Sequence, residues 1–261
     1  MIEPIARADD PRISAFAHVG DHAWLRAHGL FVAEGRLVVE RLLDAGRFPV
    51  HSILLTPAAL HGYGGALDVV APVFVAEPEI LERITGFNFH RGCLALAQRP
   101  PDDAGTRRFL ESRLLLALEG VGNPDNVGGL FRAAAAFDVD GLLLDPTCGD
   151  PLYRKAVRTS MGGTLNLPFE RAVPWPGALD EYKSMDFTVV ALTPRSGAVP
   201  LAAFAAEARF PLIVMVGAEG PGLSQAASST ADVSVRIPIS RNVDSLNVVV
   251  AAGIALAYLS G

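Results

Sequence analysis

A chain of 261 residues, 50% hydrophobic and 19% charged, has enough apolar material for a sizeable core and falls outside the globally disordered class. That length accommodates one large domain, or a small one and a medium one. A net charge of −6 argues against a general grip on polyanions, because nucleic-acid binders usually carry a basic total or basic patches.

Local cationic clusters stand against that acidity: Arg91 beside His90, Arg107-Arg108, and Arg154-Lys155 with Arg158. The two cysteines, Cys93 and Cys148, form neither a metal-ligand spacing nor a disulfide framework, which suits a reducing cytoplasm and a protein without a metal. The opening residues, with Glu3, Arg7, Asp9 and Asp10, lack the cationic-then-apolar order of a secretory signal. The most apolar stretch, 248–259, runs for about a dozen residues against the ~20 that cross a bilayer, so it reads as a buried core helix with no membrane partner.

The first 20 or so residues show no strong period and are expected to wrap the surface or form a short helix. From Phe31 a strand-like run leads through Glu34-Gly35 into an amphipathic helix carrying Leu37, Val38, Leu42 and Leu43, with Gly46 as its stop. Strands follow at 50–55 and 69–75, a short helix at 78–84, and a closing strand at 93–97. This alternation describes a small amino-terminal α/β domain, taken as 20–99. The segment 100–107 reads as a linker, since paired prolines, acidic residues and glycine favour an extended connection.

The remaining chain, 108–261, alternates regularly. Strands are expected at 114–118, 141–144, 187–192, 212–216 and 233–237, with helices at 125–137, around 152–160, and from about Ser245 to the end. Near-continuous apolar strands of this kind belong to a parallel sheet covered on both faces. In open α/β sheets ligands bind at the carboxyl edge of the strands. Three loops fall there: 123–132 (Asn-Pro-Asp-Asn-Val-Gly-Gly-Leu-Phe-Arg), 216–224 (Val-Gly-Ala-Glu-Gly-Pro-Gly-Leu-Ser) and 237–248 (Ile-Pro-Ile-Ser-Arg-Asn-Val-Asp-Ser-Leu-Asn-Val). Any one glycine or proline in them is an ordinary turn former. Together they point to one composite site. The order Gly-x-Glu-Gly-x-Gly at 217–222 lacks the G-x-G-x-x-G spacing that seats a pyrophosphate, and it lies late in the domain, which disfavours a nicotinamide enzyme.

Asn126, Gly128 and Arg132, then Gly217, Glu219, Gly220, Gly222, Leu223 and Ser224, then Ile237-Pro238 and Ser245-Leu246-Asn247-Val248, resemble in order and spacing the three motifs of the SpoU (TrmH-type) RNA 2′-O-ribose methyltransferases of the SPOUT superfamily. The resemblance is close over roughly the last 150 residues. It implies transfer of a methyl group from S-adenosylmethionine to a ribose 2′-hydroxyl of tRNA or rRNA, a parallel sheet with a trefoil knot, and a homodimer. The front domain resembles, through Glu34-Gly35 and the His90-Arg91-Gly92 turn, the ribosomal-protein-like module that binds RNA substrate. A non-catalytic RNA-binding or ribosome-assembly factor retaining the fold is the alternative.

The resemblance places the cofactor against Leu192, Gly217, Gly222, Ile237 and Leu246, and the chemistry on Arg132, Asn126, Glu219, Ser245 and Asn247. Glycines without a Cβ let backbone N–H and C=O groups approach an adenine edge. Arg132 lies six positions after Asn126, nearly two turns into a mainly apolar helix with Asp125 or Asn126 as N-cap. Its charge is explained by a salt bridge to Glu219 or an intersubunit carboxylate, or by contact with the target nucleotide's phosphate and 2′-hydroxyl. Family members are described as using this arginine to help remove the hydroxyl proton. Guanidinium, with a pKa above ~12, is a poor base, so orientation of phosphate and stabilisation of the developing alkoxide is the expected role. Ser245 and Asn247 stand two apart at a helix start, so one can cap while the other faces the site. One departure from the family pattern is Arg241, where a glycine is frequent.

Overall fold

The structure is a computed structural model that describes residues 2–64, 67, 69–86, 92–100, 109, 111–240 and 242–260. His90, Arg91, Arg107, Arg108, Arg241 and nearly all of the expected 100–107 linker lie outside the described residues. The chain divides into two compact units, Met1–Pro101 with Leu152–Asn166, and Asp102–Pro151 with Leu167–Gly261.

The first unit holds β1 (Ile2–Pro4), a 3-10 helix (Pro11–His18), α1 (His22–Ala27), β2 (Leu30–Glu34), α2 (Arg36–Ala45), β3 (Val50–Leu55), α3 (Pro57–Gly62), β4 (Val73–Val75), α4 (Pro78–Thr85) and β5 (Cys93–Gln98). Its sheet runs in the order β1-β4-β3-β5-β2 and mixes parallel pairs (β1–β4, β4–β3) with antiparallel ones (β3–β5, β5–β2). Helix α2 buries Val38, Val39 and Leu42, and Gly46 stops it in the left-handed conformation (φ 59°) that a Cβ disfavours. The unit begins earlier than residue 20. β1 extends the sheet, and Ile5, Ile13 and Phe16 enter the same core as Leu54, Leu94 and Leu96. Conversely, only Val73–Val75 of the 69–75 run is strand. Pro72, which has no N–H to give a ladder, precedes it.

The second unit opens with β6 (Leu114–Glu119), α5 (Pro124–Ala136) and β7 (Gly141–Leu144). The chain then contributes α6 (Arg154–Thr159) and α7 (Gly163–Asn166), a stretch inside the expected 108–261 block, to the first unit. It returns with β8 (Phe169–Arg171), α8 (Leu179–Lys183), β9 (Thr188–Leu192), β10 (Val199–Pro200), α9 (Leu201–Glu207), β11 (Leu212–Gly217), α10 (Gln225–Thr230), β12 (Val233–Arg236) and α11 (Val248–Leu259). Seven strands pair in parallel throughout, in the order β10-β12-β9-β11-β6-β7-β8. The expected α/β class with a parallel sheet is what the chain forms.

Central strands β6 and β11 are apolar on both faces because helices cover both; Leu114–Leu118 and Leu212–Val216 are all buried. Each such side chain contributes roughly 1.5–3 kcal/mol on leaving water. Helix α5 packs on α11 at close range, since a Cβ on Gly129 would stand 2.8 Å from Val249 Cγ2. With every strand parallel, the ends of β6, β9, β11 and β12 share one edge of the sheet, and their loops gather there. No helix among the described residues is long and apolar enough to cross a membrane.

Candidate active site

Four segments at that edge enclose a pocket of about 400 Å³. Leu192, Thr193 and Pro194 come from the end of β9; Val216 to Gly220 and Gly222 from β11 and its loop; Ile237 and Ile239 from beyond β12; and Ser245 to Val248 with Ala251 from the last loop and α11. All five positions expected to meet a cofactor line it: Leu192, Gly217, Gly222, Ile237 and Leu246. The size falls in the range of small-molecule sites.

The β11 loop doubles back on itself. Gly222 N donates to Ala218 O at 2.9 Å, and a Cβ on Gly217 would lie 2.1 Å from the Gly222 carbonyl carbon. Backbone, unlike a flexible side-chain end, cannot yield to that, so only glycine fits at 217. The loop's far end is tied down by Glu119, a nearly buried carboxylate at the end of β6. It accepts from Ser224 N (2.7 Å), Ser224 Oγ (2.7 Å) and Trp175 Nε1 (2.8 Å). Ser224 in turn caps α10 by accepting from Ala227 N.

Asn247 joins the three motif segments. Its Oδ1 accepts from Val249 N at 3.0 Å and Val250 N at 3.3 Å, which caps α11. Its Nδ2 donates to Glu219 Oε1 at 2.6 Å and to Asn126 Oδ1 at 3.3 Å. One side chain therefore performs both the capping and the site-facing tasks that were to be divided between Ser245 and Asn247. Helix α11 accordingly starts at Val248 rather than near Ser245. Ser245 is exposed and lines the pocket.

Asn126 is buried in the first turns of α5. The cap of that helix is Asn123, whose side chain accepts from Asp125 N, in place of the expected Asp125 or Asn126. Pro124 has no N–H to lose and takes the first helical position, so the cap moves one residue ahead of it. That leaves Asn126 for Asn247.

Arg132 is the exception. It is exposed on α5, does not line the pocket, and makes no hydrogen bond or ion pair among the described residues. The salt bridge to Glu219 is not formed; Glu219 is engaged by Asn247 instead.

Glu219 is the one charged side chain lining the pocket, and no basic side chain lines it among the described residues. Such a site suits a ligand with a fixed positive charge. Cys148, beyond β7, donates its thiol to Leu118 O at 3.3 Å, and burial, helped by the Asp145 carboxylate, pushes its pKa up to about 12. A thiol so protonated is a packing group, not a nucleophile.

The model of the SpoU rRNA methylase family matches residues 113–257. The chain belongs to that family. Among its relatives is an uncharacterized tRNA/rRNA methyltransferase of Mycobacterium bovis, 39% identical over 97% of this chain and 90% of its own length. Among solved structures, an AdoMet-bound rRNA methyltransferase from Sinorhizobium meliloti superposes with a TM-score of 0.84 at 21% identity, covering 99% of this chain and 97% of that one. An RNA 2′-O ribose methyltransferase does so with a TM-score of 0.77 at 26% identity, covering 99% and 98%. The resemblance noted in the sequence is thus a family membership, and this chain is a methyltransferase of the SpoU family.

Glu119 is the site residue that the sequence motifs do not mark, whereas Thr193 and Pro194 belong to the loop after Leu192 expected at the cofactor's side. Glu119 had a readable signal, since it is a carboxylate closing the otherwise apolar run Leu-Leu-Leu-Ala-Leu just before Gly120.

Proposed function

We propose that this enzyme transfers a methyl group from S-adenosylmethionine to a ribose 2′-hydroxyl of tRNA or rRNA, acting in the cytoplasm as a homodimer built on a knotted SpoU domain. The observation that carries the reading is the convergence of three motif segments on Asn247 at the rim of one pocket whose sole lining charge, among the described residues, is Glu219. When bound, the donor supplies a methyl group already activated by a sulfonium, so no metal is called for. Backbone groups at Gly217, Ile237 and Leu246 would read its adenine edge, a reading supported by their lining one pocket, and Glu219 would set a negative charge towards the cationic donor.

Arg132 has the acceptor's side of the reaction. It holds the target phosphate and stabilises the oxygen as its proton leaves to phosphate or water, and most of the acceleration comes from alignment. Because Arg132 stands outside its own chain's pocket, we assign it to the pocket of a second copy. Val250 and Tyr258, 50% and 54% exposed on the apolar α11, supply apolar surface for that pairing.

Mapping ribose methylation across tRNA and rRNA, with and without the protein, tests the reaction. A new 2′-O-methyl position that requires the enzyme and the donor supports it. Methylation of a base instead overturns it. Folded protein that fails to bind S-adenosylmethionine in a calorimeter favours the non-catalytic RNA-binding or assembly factor.

A further inference from the structure

A second pocket, of about 230 Å³, lies wholly within the first unit. His22, Tyr153, Arg154, Lys155 and Arg158 line it over an apolar floor that includes Phe31. Every charged side chain on its wall is basic, and no carboxylate lines it among the described residues. That is conspicuous in a chain of net charge −6.

The cations are arranged unequally. Arg154 is half-buried and held by Glu34, with Nε donating to Oε2 at 2.8 Å, so its charge is already met. Arg158, one turn further along α6, is exposed and makes no hydrogen bond or ion pair among the described residues. Unlike Arg154, Arg158 has no carboxylate partner among the described residues, so an anion seated over the pocket would meet a charge that the fold leaves open. Beside it the His22 and Tyr153 rings meet edge to face, centroids 4.8 Å apart at 71°, and present an aromatic surface next to the cations. A cation beside an aromatic ring is the pairing that accepts the phosphate and the base of one unpaired nucleotide.

We propose that this pocket docks a single-stranded segment of the RNA substrate, one phosphate on Arg158 and Lys155 and its base against Tyr153. The proposal rests on the RNA reading above, but concerns a different site from the methyl-donor pocket. It locates the polyanion affinity that the chain's overall charge lacks.

The test compares Arg158→Glu with Arg7→Glu, an equal change of charge at another exposed arginine of the same unit. Anisotropy is read with labelled bulk transfer RNA and a labelled poly(U) strand, and donor binding by calorimetry. Arg158→Glu is expected to keep its melting midpoint and its donor affinity. It should bind poly(U) about tenfold more weakly, with the salt slope reduced by about 0.7. Arg7→Glu should stay within about twofold of wild type. Tyr153→Leu should weaken poly(U) binding by about fivefold. Undiminished RNA affinity in Arg158→Glu, with wild type binding RNA, overturns this site alone. Wild-type protein that binds the donor and neither RNA overturns the RNA reading and this site together.

Discussion

The two pockets of this protein are built on opposite terms. The one at the carboxyl edge of the parallel sheet is made by loops and lined largely by apolar side chains and glycines, with one carboxylate and no cation among the described residues. The one in the first unit is made by side chains on and around α1, β2 and α6, with cations and no carboxylate among the described residues. The contrast teaches that a net charge says little about partners when charges are sorted by site. The same acidic chain offers one place for a positively charged small molecule and another for a phosphate. It also separates the experiments, because a change in one pocket should leave the other's ligand alone.

The largest effect is expected from Gly217→Val. Its Cβ would meet the Gly222 backbone at 2.1 Å, so the whole β11 loop must move. Donor binding should vanish in the calorimeter and stability fall by about 3 kcal/mol in urea unfolding, while affinity for transfer RNA persists. Retained donor binding would mean that this pocket serves something else. Next comes Arg132→Ala, expected to cut methyl transfer by about 10²–10³-fold with donor affinity unchanged. The arginine lies outside its own pocket, so mixing Arg132→Ala with Gly217→Val chains should restore transfer, each supplying what the other lacks. Mixtures as inactive as their components would place Arg132 in its own chain's reaction, and wild-type turnover by Arg132→Ala would remove it altogether.

These sites were unequally legible in the sequence. The carboxyl-edge pocket could be anticipated because its parts are punctuation. Glycines, prolines and asparagines just after apolar runs mark strand ends, and a parallel sheet brings such ends to one edge. The same logic located β6, β9, β11 and β12. What stayed hidden depends on tertiary partners. Nothing local in Ile2–Pro4 announces a strand; it forms one because β4 offers it a parallel edge, as in the register Ile2 to Val73. The passage of Leu152–Asn166 into the first unit is likewise invisible to periodicity, since Ala156 and Val157 would suit either core. The second pocket could not be read as a pocket for the same reason: His22 and Tyr153 lie far apart in the chain. Arg132 is a different case. Of the readings open to an arginine in an apolar run, the salt bridge to Glu219 is not formed, and the side chain is exposed to whatever meets that face of α5.

The smallest effect separates two tasks of a single amide. Asn247→Ala removes the α11 cap and should lower stability by about 1 kcal/mol. It also removes the Nδ2 donor that ties Glu219 to Asn126, so donor affinity should fall by about threefold to tenfold. Asn247→Ser keeps an oxygen able to cap but cannot reach both carbonyl-type acceptors. The serine variant should therefore recover most of the stability and little of the affinity, with RNA binding unchanged in both. If serine restores donor affinity as fully as stability, the link between Glu219 and Asn126 contributes nothing to the pocket, and Asn247 is a helix cap that happens to stand at its rim.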